Sequence, residues 1–151
     1  MRAVLQRVSS AKVTANKTHQ ASIGIGLVVL LGITTNDTSE DVDWLLKKII
    51  NMRIFNDQVA VMNNSVLDVA GELLVVSQFT LYAQTKKGNR PSYIKAANHE
   101  TAIPLYSQFL EKAQQLMGKP VQSGIFGADM QVDLTNDGPV TIIIDSKNKD
   151  L

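Results

Sequence analysis

The stretch Leu73–Ala83 constrains the fold more than any other part of the chain. Leu73, Leu74, Val75 and Val76 put hydrophobes at consecutive positions. Strand side chains alternate between faces, so such a run has to be covered on both sides. Beyond it, the alternation predicts that the strand continues, with Phe79 and Leu81 on one face and Gln78, Thr80 and Tyr82 on the other. A covered strand whose end turns polar either runs out to solvent or floors a site. No Asp or Glu occurs between Leu73 and His99, whereas Lys86, Lys87, Arg90 and Lys95 all fall there. The strand therefore leads into a positively charged loop.

The chain has 151 residues, 44% of them hydrophobic, enough for a sizeable core in one domain spanning residues 1–151. The polar tail from about residue 146 is expected to fray. Net charge is +1, which leaves the attraction of any anionic ligand to a local patch. Cysteine is absent. That excludes disulfides, thiolate metal sites and a Cys nucleophile, and fits a reducing compartment. No signal-peptide-like apolar region follows Met1-Arg2, and the longest apolar run, around Leu27–Ile33, is too short to span a bilayer.

Taken in order, Arg2–Ala15 reads as a strand with a break at Ser9-Ser10, and Ser22–Ile33 as a second β region punctuated by Gly24, Gly26 and Gly32. Gly24-Ile25-Gly26 lacks the remainder of a phosphate-loop pattern and reads as a turn or bulge. Asn36–Ser39 is a capping cluster. From Glu40, the spacing of Val42, Leu45, Leu46, Ile49 and Met52 predicts a helix, acidic at its start and basic at its end. Ile54-Phe55, Val59–Met62 and Val66–Val69 read as short β pieces. A second helix is predicted within Ser92–Met117, with Pro104 as a break or a start, a face of Leu105, Phe109, Ala113 and Leu116, and Gly118 as the stop. Val121–Phe126, Ala128–Thr135 and Val140–Asp145 read as strands, the last two joined at Asn136-Asp137-Gly138-Pro139. Helices and strands do not alternate strictly, which points to a mixed sheet with helices packed on it.

Familiar catalytic sets are missing. His19 and His99, the only imidazoles, sit where surface or capping roles fit them, and no spacing suggests a metal site. Ser77 lacks a Gly-x-Ser-x-Gly context. Asn136-Asp137-Gly138-Pro139-Val140-Thr141 is more informative. It reads either as a hairpin connection or as a turn whose Gly-Pro peptide is cis, with glycine allowing a ligand close to the backbone.

Ser77-Gln78-Phe79-Thr80-Leu81 together with Asn136-Asp137-Gly138-Pro139-Val140-Thr141 resembles the paired signature motifs of the D-aminoacyl-tRNA deacylases. Met1–Val8, Gly88-Asn89-Arg90-Pro91-Ser92 and Phe126-Gly127-Ala128-Asp129-Met130 also resemble that family's pattern, so the likeness runs from Met1 to about Asp145.

The resemblance implies a mixed α+β fold, a three-layer β/β/α sandwich of mixed sheets with two main helices. It implies a cytoplasmic homodimer that hydrolyses the ester between a D-amino acid and tRNA, removes glycine mischarged on tRNA, rejects the L-aminoacyl substrate and needs no cofactor or metal. Ser77, Gln78, Phe79 and Thr80 are implied to work mainly through their backbone under the reacting carbonyl. Gly138 and Pro139 of one subunit are implied to enter the partner's pocket, with Asn136, Phe126 and Met130 also at the substrate. Lys86, Lys87, Arg90 and Lys95 are candidate tRNA contacts, or a solvated loop. Two alternatives stand beside this reading: a non-catalytic tRNA- or aminoacyl-binding module, and an esterase using Thr80, which has no evident base to activate it.

Overall fold

The computed structural model describes residues 1–151. Strand β1 (Arg2–Ala15) organises the sheet. Strand β8 (Met130–Asp145) runs antiparallel along nearly all of one edge of β1. The other edge is divided: β3 (Gly26–Gly32) pairs with Arg2–Val8, and β2 (His19–Ile23) pairs with Ala11–Ala15. Next to β3 lies β6 (Glu72–Ser77), parallel and in register from Gly26↔Glu72 to Leu31↔Ser77, and β7 (Gln122–Ser123) is parallel to β6. A small antiparallel pair, β4 (Phe55–Asn56) and β5 (Met62–Asn64), stands apart.

Both faces of the β3–β6 ladder are covered, as the consecutive hydrophobes require. On one side, Leu27, Val29, Leu73 and Val75 pack with Leu45, Leu46 and Ile49 of helix α1 (Ser39–Asn51) and with Phe109 and Ala113 of helix α2 (His99–Met117). On the other side, Val28, Leu74 and Val76 meet Val13, Ala21 and Ile23, because the far half of β1 and strand β2 fold back over the sheet. Helices, sheet and overlying β layer give the β/β/α arrangement that the family resemblance implies.

Several expected elements differ in detail. The break at Ser9-Ser10 is a bulge within a continuous β1, whose register against β8 shifts around Val8. Val66–Val69 is a turn rather than a strand, held by Asp68 Oδ2, which accepts bonds of 2.7 Å from both the N–H and the hydroxyl of Ser65. The chain leaves β6 at Ser77, and Phe79–Tyr82 is a 3₁₀ turn, so Tyr82 is buried and Phe79 exposed, the reverse of simple alternation. Helix α2 starts at His99, not Ser92, because Asn98 caps it (Oδ1 accepts from Thr101 N–H, 3.0 Å) and the Ala97 N–H is committed to the Ile33 carbonyl. Pro104 sits inside this helix, and the buried face carries Tyr106 and Met117 in place of Leu105 and Leu116.

The Asn136–Pro139 segment does not join a hairpin. Thr135 pairs with Ser10 and Thr141 with Gln6, so the chain bulges out of β8 and then resumes the same ladder with the same partner. The Gly138–Pro139 peptide is cis.

The tail does not fray immediately after β8. Ser146 is buried and donates to Asp41 Oδ1 (2.6 Å), while the Lys147 ammonium donates to Asp41 Oδ2 (2.8 Å). Asp41 also accepts from the N–H of Thr38, the residue that caps α1 (2.8 Å). Burial alone pushes the Asp41 carboxyl up, but the Lys147 ammonium, the Ser146 hydroxyl and the Thr38 N–H outweigh it and hold the group well below the usual carboxylate range. A carboxyl depressed in the folded state stabilises the fold above its unfolded value of about 3.9, and that contribution is lost as pH falls below it toward the folded value. Asp41→Asn is expected to lower unfolding free energy at pH 7 by about 1–3 kcal/mol. Urea titrations should show the gap between wild type and variant closing below about pH 4; a gap constant with pH would show that the ionised carboxylate is not what matters.

Candidate active site

The end of β6 opens into a cleft of about 890 Å³. Leu31 and Val76 form part of its floor, followed by Ser77, Gln78 and Phe79. The start of α2 supplies Asn98, His99 and Ala102, and the segment before and within β8 supplies Phe126, Met130 and Val132.

The turn at the mouth depends on a distant glycine. The Gln78 N–H still bonds the Leu31 carbonyl (2.8 Å), and then the backbone tightens, with Leu81 N–H to the Gln78 carbonyl (3.3 Å) and Ala83 N–H to the Thr80 carbonyl (3.0 Å). A Cβ on Gly32 would lie 3.0 Å from Leu81 Cβ and 3.1 Å from the Gln78 carbonyl oxygen, so a side chain there would push the turn away from β3. Arg2 fixes the far end by donating to the Leu81 carbonyl (2.8 Å). The N–H groups of Phe79 and Thr80 open the turn and so have no acceptor within it.

The aromatic residues of the cleft form two groups. Phe79 and Tyr93 meet edge to face, with ring centroids 5.1 Å apart. Phe126 packs against His99 (5.7 Å) and Tyr106 (5.5 Å). The Tyr106 hydroxyl donates to the Val75 carbonyl (3.1 Å), and burial pushes its pKa above the usual phenol value.

The residues singled out in the sequence fall into three places. Ser77, Gln78, Phe79, Phe126 and Met130 come together around the cleft. Thr80 does not line it; its Oγ1 accepts a hydrogen bond from the Gln78 side-chain amide. Asn136, Gly138 and Pro139 are also outside the cleft, on the β8 bulge. There Asn136 braces the bulge, its Oδ1 accepting from Val140 N–H (3.2 Å) and its Nδ2 donating to Thr141 Oγ1 (3.0 Å). Lys86, Lys87, Arg90 and Lys95 are all exposed, and none is in an ion pair. Their loop is closed at its neck by reciprocal Gln84–Ser92 backbone bonds of 2.8 and 3.0 Å.

Arg7 went unnoticed in the sequence. It is buried, donates through Nε to the Asp137 carbonyl (3.1 Å) and through Nη1 to the Ile54 carbonyl (2.7 Å), and so ties the bulge to the core. A signal was present: Arg7 is in phase with the inward-facing Ala3 and Leu5, and a charged residue at an inward strand position has to find partners.

A family model described as D-Tyr-tRNA(Tyr) deacylase matches residues 4–145. This chain belongs to that family. Proteins named D-aminoacyl-tRNA deacylase resemble it throughout. The one from Parabacteroides distasonis is 59% identical over 150 residues, covering 99% of this chain and 100% of its own length. The one from Christiangramia forsetii is 62% identical over 149 residues, covering 99% of each. Among solved structures, one titled c-Myc DNA Unwinding Element Binding Protein superposes with a TM-score of 0.90 at 42% identity, over 96% of this chain and 98% of its own. Another, titled as a probable eukaryotic D-amino acid tRNA deacylase, shares the fold of the deacylase family member described here, with a TM-score of 0.83 at 18% identity over 95% of this chain and 97% of its own.

Proposed function

We propose that this chain hydrolyses the ester linking a D-amino acid to tRNA, releasing the free amino acid and tRNA. It also clears glycine mischarged on tRNA, and it leaves L-aminoacyl-tRNA intact. The observation that carries this reading is the backbone of Ser77–Phe79 opening into a cleft in a chain that matches D-aminoacyl-tRNA deacylases along its full length. An ester is an activated electrophile. Positioning the attacking hydroxyl or water and stabilising the oxyanion can supply most of the rate. The N–H of Phe79, which lines the cleft, is a donor of that kind, with the N–H of Thr80 next to it in the turn, and the ribose 2′-hydroxyl next to the ester assists the attack. The decisive assay is release of free amino acid from D- and L-aminoacyl-tRNA. Equal release from both, or release from neither, overturns the reading.

The working unit in this proposal is a cytoplasmic homodimer. Gly138 and Pro139 line no part of the cleft of their own chain, yet they project from β8, whose outer edge is unpaired and carries the half-exposed Ile143. A second copy docking on that edge receives the bulge in its cleft, where main-chain oxygens hold the α-amino group of the substrate. A D side chain then points to the opening and an L side chain into the bulge itself, while glycine has nothing to be rejected. No helix of the chain is long and apolar enough to cross a membrane.

Thr80 acts here through its backbone. Thr80→Ala is therefore expected to keep deacylation within about tenfold of wild type. Loss of about a thousandfold or more with folding intact, about 4 kcal/mol of barrier, would revive the Thr80 nucleophile. Lys86, Lys87 and Arg90 meet the tRNA backbone. Neutralising all three is expected to weaken tRNA binding and to flatten the slope of log affinity against log salt by about 2–3. An unchanged slope in the triple variant removes the loop from the interface.

A further inference from the structure

Tyr93 has no assigned part in the site, and its setting is unusual. It is 39% exposed and Phe79 is 58% exposed, although both line the cleft. The two rings meet edge to face at an interplanar angle of 74°, so they support each other without stacking face on face, and both stay partly exposed.

The backbone that carries the ring is held on several sides. The Tyr93 carbonyl accepts from the Ala96 N–H (3.0 Å), Ser92 is paired with Gln84 on one side, and on the other the Lys95 carbonyl accepts from Thr34 Oγ1 (2.5 Å). Tyr93 is also flanked by the unpaired cations Arg90 and Lys95, in a stretch with no carboxylate from Leu73 to Asn98. Exposed aromatic faces interleaved with basic side chains are the composition that binds single-stranded nucleic acid, with charge tracking the phosphates and rings stacking the bases.

We infer that Tyr93, backed by Phe79, stacks an unpaired base of the tRNA 3′ end, one upstream of the aminoacylated nucleotide. This deepens the deacylase reading and rests on it. The ester must lie at the Ser77–Phe79 backbone, inside the cleft. Tyr93 stands on the wall that continues into the basic loop, so the strand leaving the cleft toward its phosphate contacts passes over this ring. Stacking is tolerant of base identity, because every base has a π face, so the contact does not depend on which base stands there.

The test is a cycle between protein and RNA, using the full chain and D-aminoacyl-tRNA. Tyr93→Ala is compared with wild type on intact substrate and on substrates made abasic at each of the two positions upstream of the aminoacylated nucleotide. With intact substrate, Tyr93→Ala is expected to raise KM about tenfold, within the range for losing one base–aromatic stack, with little change in kcat. One abasic substrate is expected to raise the wild-type KM by a similar factor, and variant and abasic substrate together should do no more than either alone. Tyr93→Phe, which keeps the ring, should restore the wild-type value. Penalties that multiply, or a Tyr93→Ala KM equal to wild type, overturn the stack. If wild type releases no amino acid from intact D-aminoacyl-tRNA, the deacylase reading has failed instead.

Discussion

Replacing Gly138 with alanine is expected to reduce kcat/KM for D-aminoacyl-tRNA by at least about 100-fold, or about 2.7 kcal/mol of transition-state stabilisation, while the fold survives. The backbone at Gly138 has φ +128°, a conformation that L side chains rarely adopt. A Cβ there would stand 2.8 Å from Val140 Cγ2 and 3.0 Å from both Arg7 Nη2 and the Val140 nitrogen. The Val140 N–H is held by Asn136 Oδ1, one residue before the ladder resumes at Thr141, and Arg7 is fixed by the Asp137 and Ile54 carbonyls, so these neighbours resist a shift that leaves the bulge in place. On the proposed reading, its carbonyl oxygens would then miss the substrate amino group by a distance that positioning catalysis does not tolerate. Stability should change little by comparison, since Asp137, Gly138 and Pro139 are exposed and belong to neither hydrophobic core. Thermal melting checks the fold, and release of D-amino acid from charged tRNA checks the rate. A Gly138→Ala enzyme with wild-type rate and wild-type discrimination against the L substrate would remove the bulge from the mechanism.

The parts of this architecture that were legible in the sequence are those where burial dictates composition locally. A parallel strand covered on both faces needs consecutive hydrophobes, so β6 announced itself through Leu73–Val76. An amphipathic helix needs the 3.6-residue spacing, so α1 is readable from Val42 to Met52, and its start from the capping cluster Asn36–Ser39, of which the structure uses Thr38. The misreadings share another cause: the deciding partner is far away in sequence. Gln78–Tyr82 has a pattern compatible with a strand, and it becomes a 3₁₀ turn because Gly32, on a neighbouring strand, leaves room for it. Asp-Gly-Pro marks an interruption but not its consequence. The chain resumes instead of reversing because β1 is long enough to pair with β8 on both sides of the bulge. Ser92–Asn98 is kept out of α2 by Ile33 and Thr34, which take its backbone groups into bonds of their own.

The candidate site divides along the same line. Ser77, Gln78, Phe79, Phe126 and Met130 were identified through motif resemblance, and the fold gathers them around one cleft. Nothing local separates Tyr93 from an ordinary exposed loop residue, and for Arg7 the strand phase shared with Ala3 and Leu5 marks it as inward-facing without saying what it binds. Their surroundings distinguish them: an open ring beside Phe79 in one case, and two backbone carbonyls in the other.

In the proposed homodimer, where the bulge of one subunit completes the cleft of its partner, two inactive variants should repair each other. Gly138→Ala spoils the bulge and leaves the cleft intact. Ala97→Phe, at a partly exposed residue lining the cleft, fills the cleft and leaves the bulge intact. Each homodimer then has two defective sites. In a mixed dimer, the intact cleft of one subunit receives the intact bulge of the other, and one site of the two is whole. Random exchange of equal amounts makes half the dimers mixed, so activity is expected to rise from near zero to about a quarter of wild type. The rise should follow the rate of subunit exchange and should vanish when each variant is crosslinked to itself before mixing. If bulge and cleft instead served the same chain, no combination of these subunits would contain a whole site. A mixture as inactive as its components, with mixed dimers demonstrated by differential tagging, would refute the cross-subunit site while leaving the deacylase activity itself untouched.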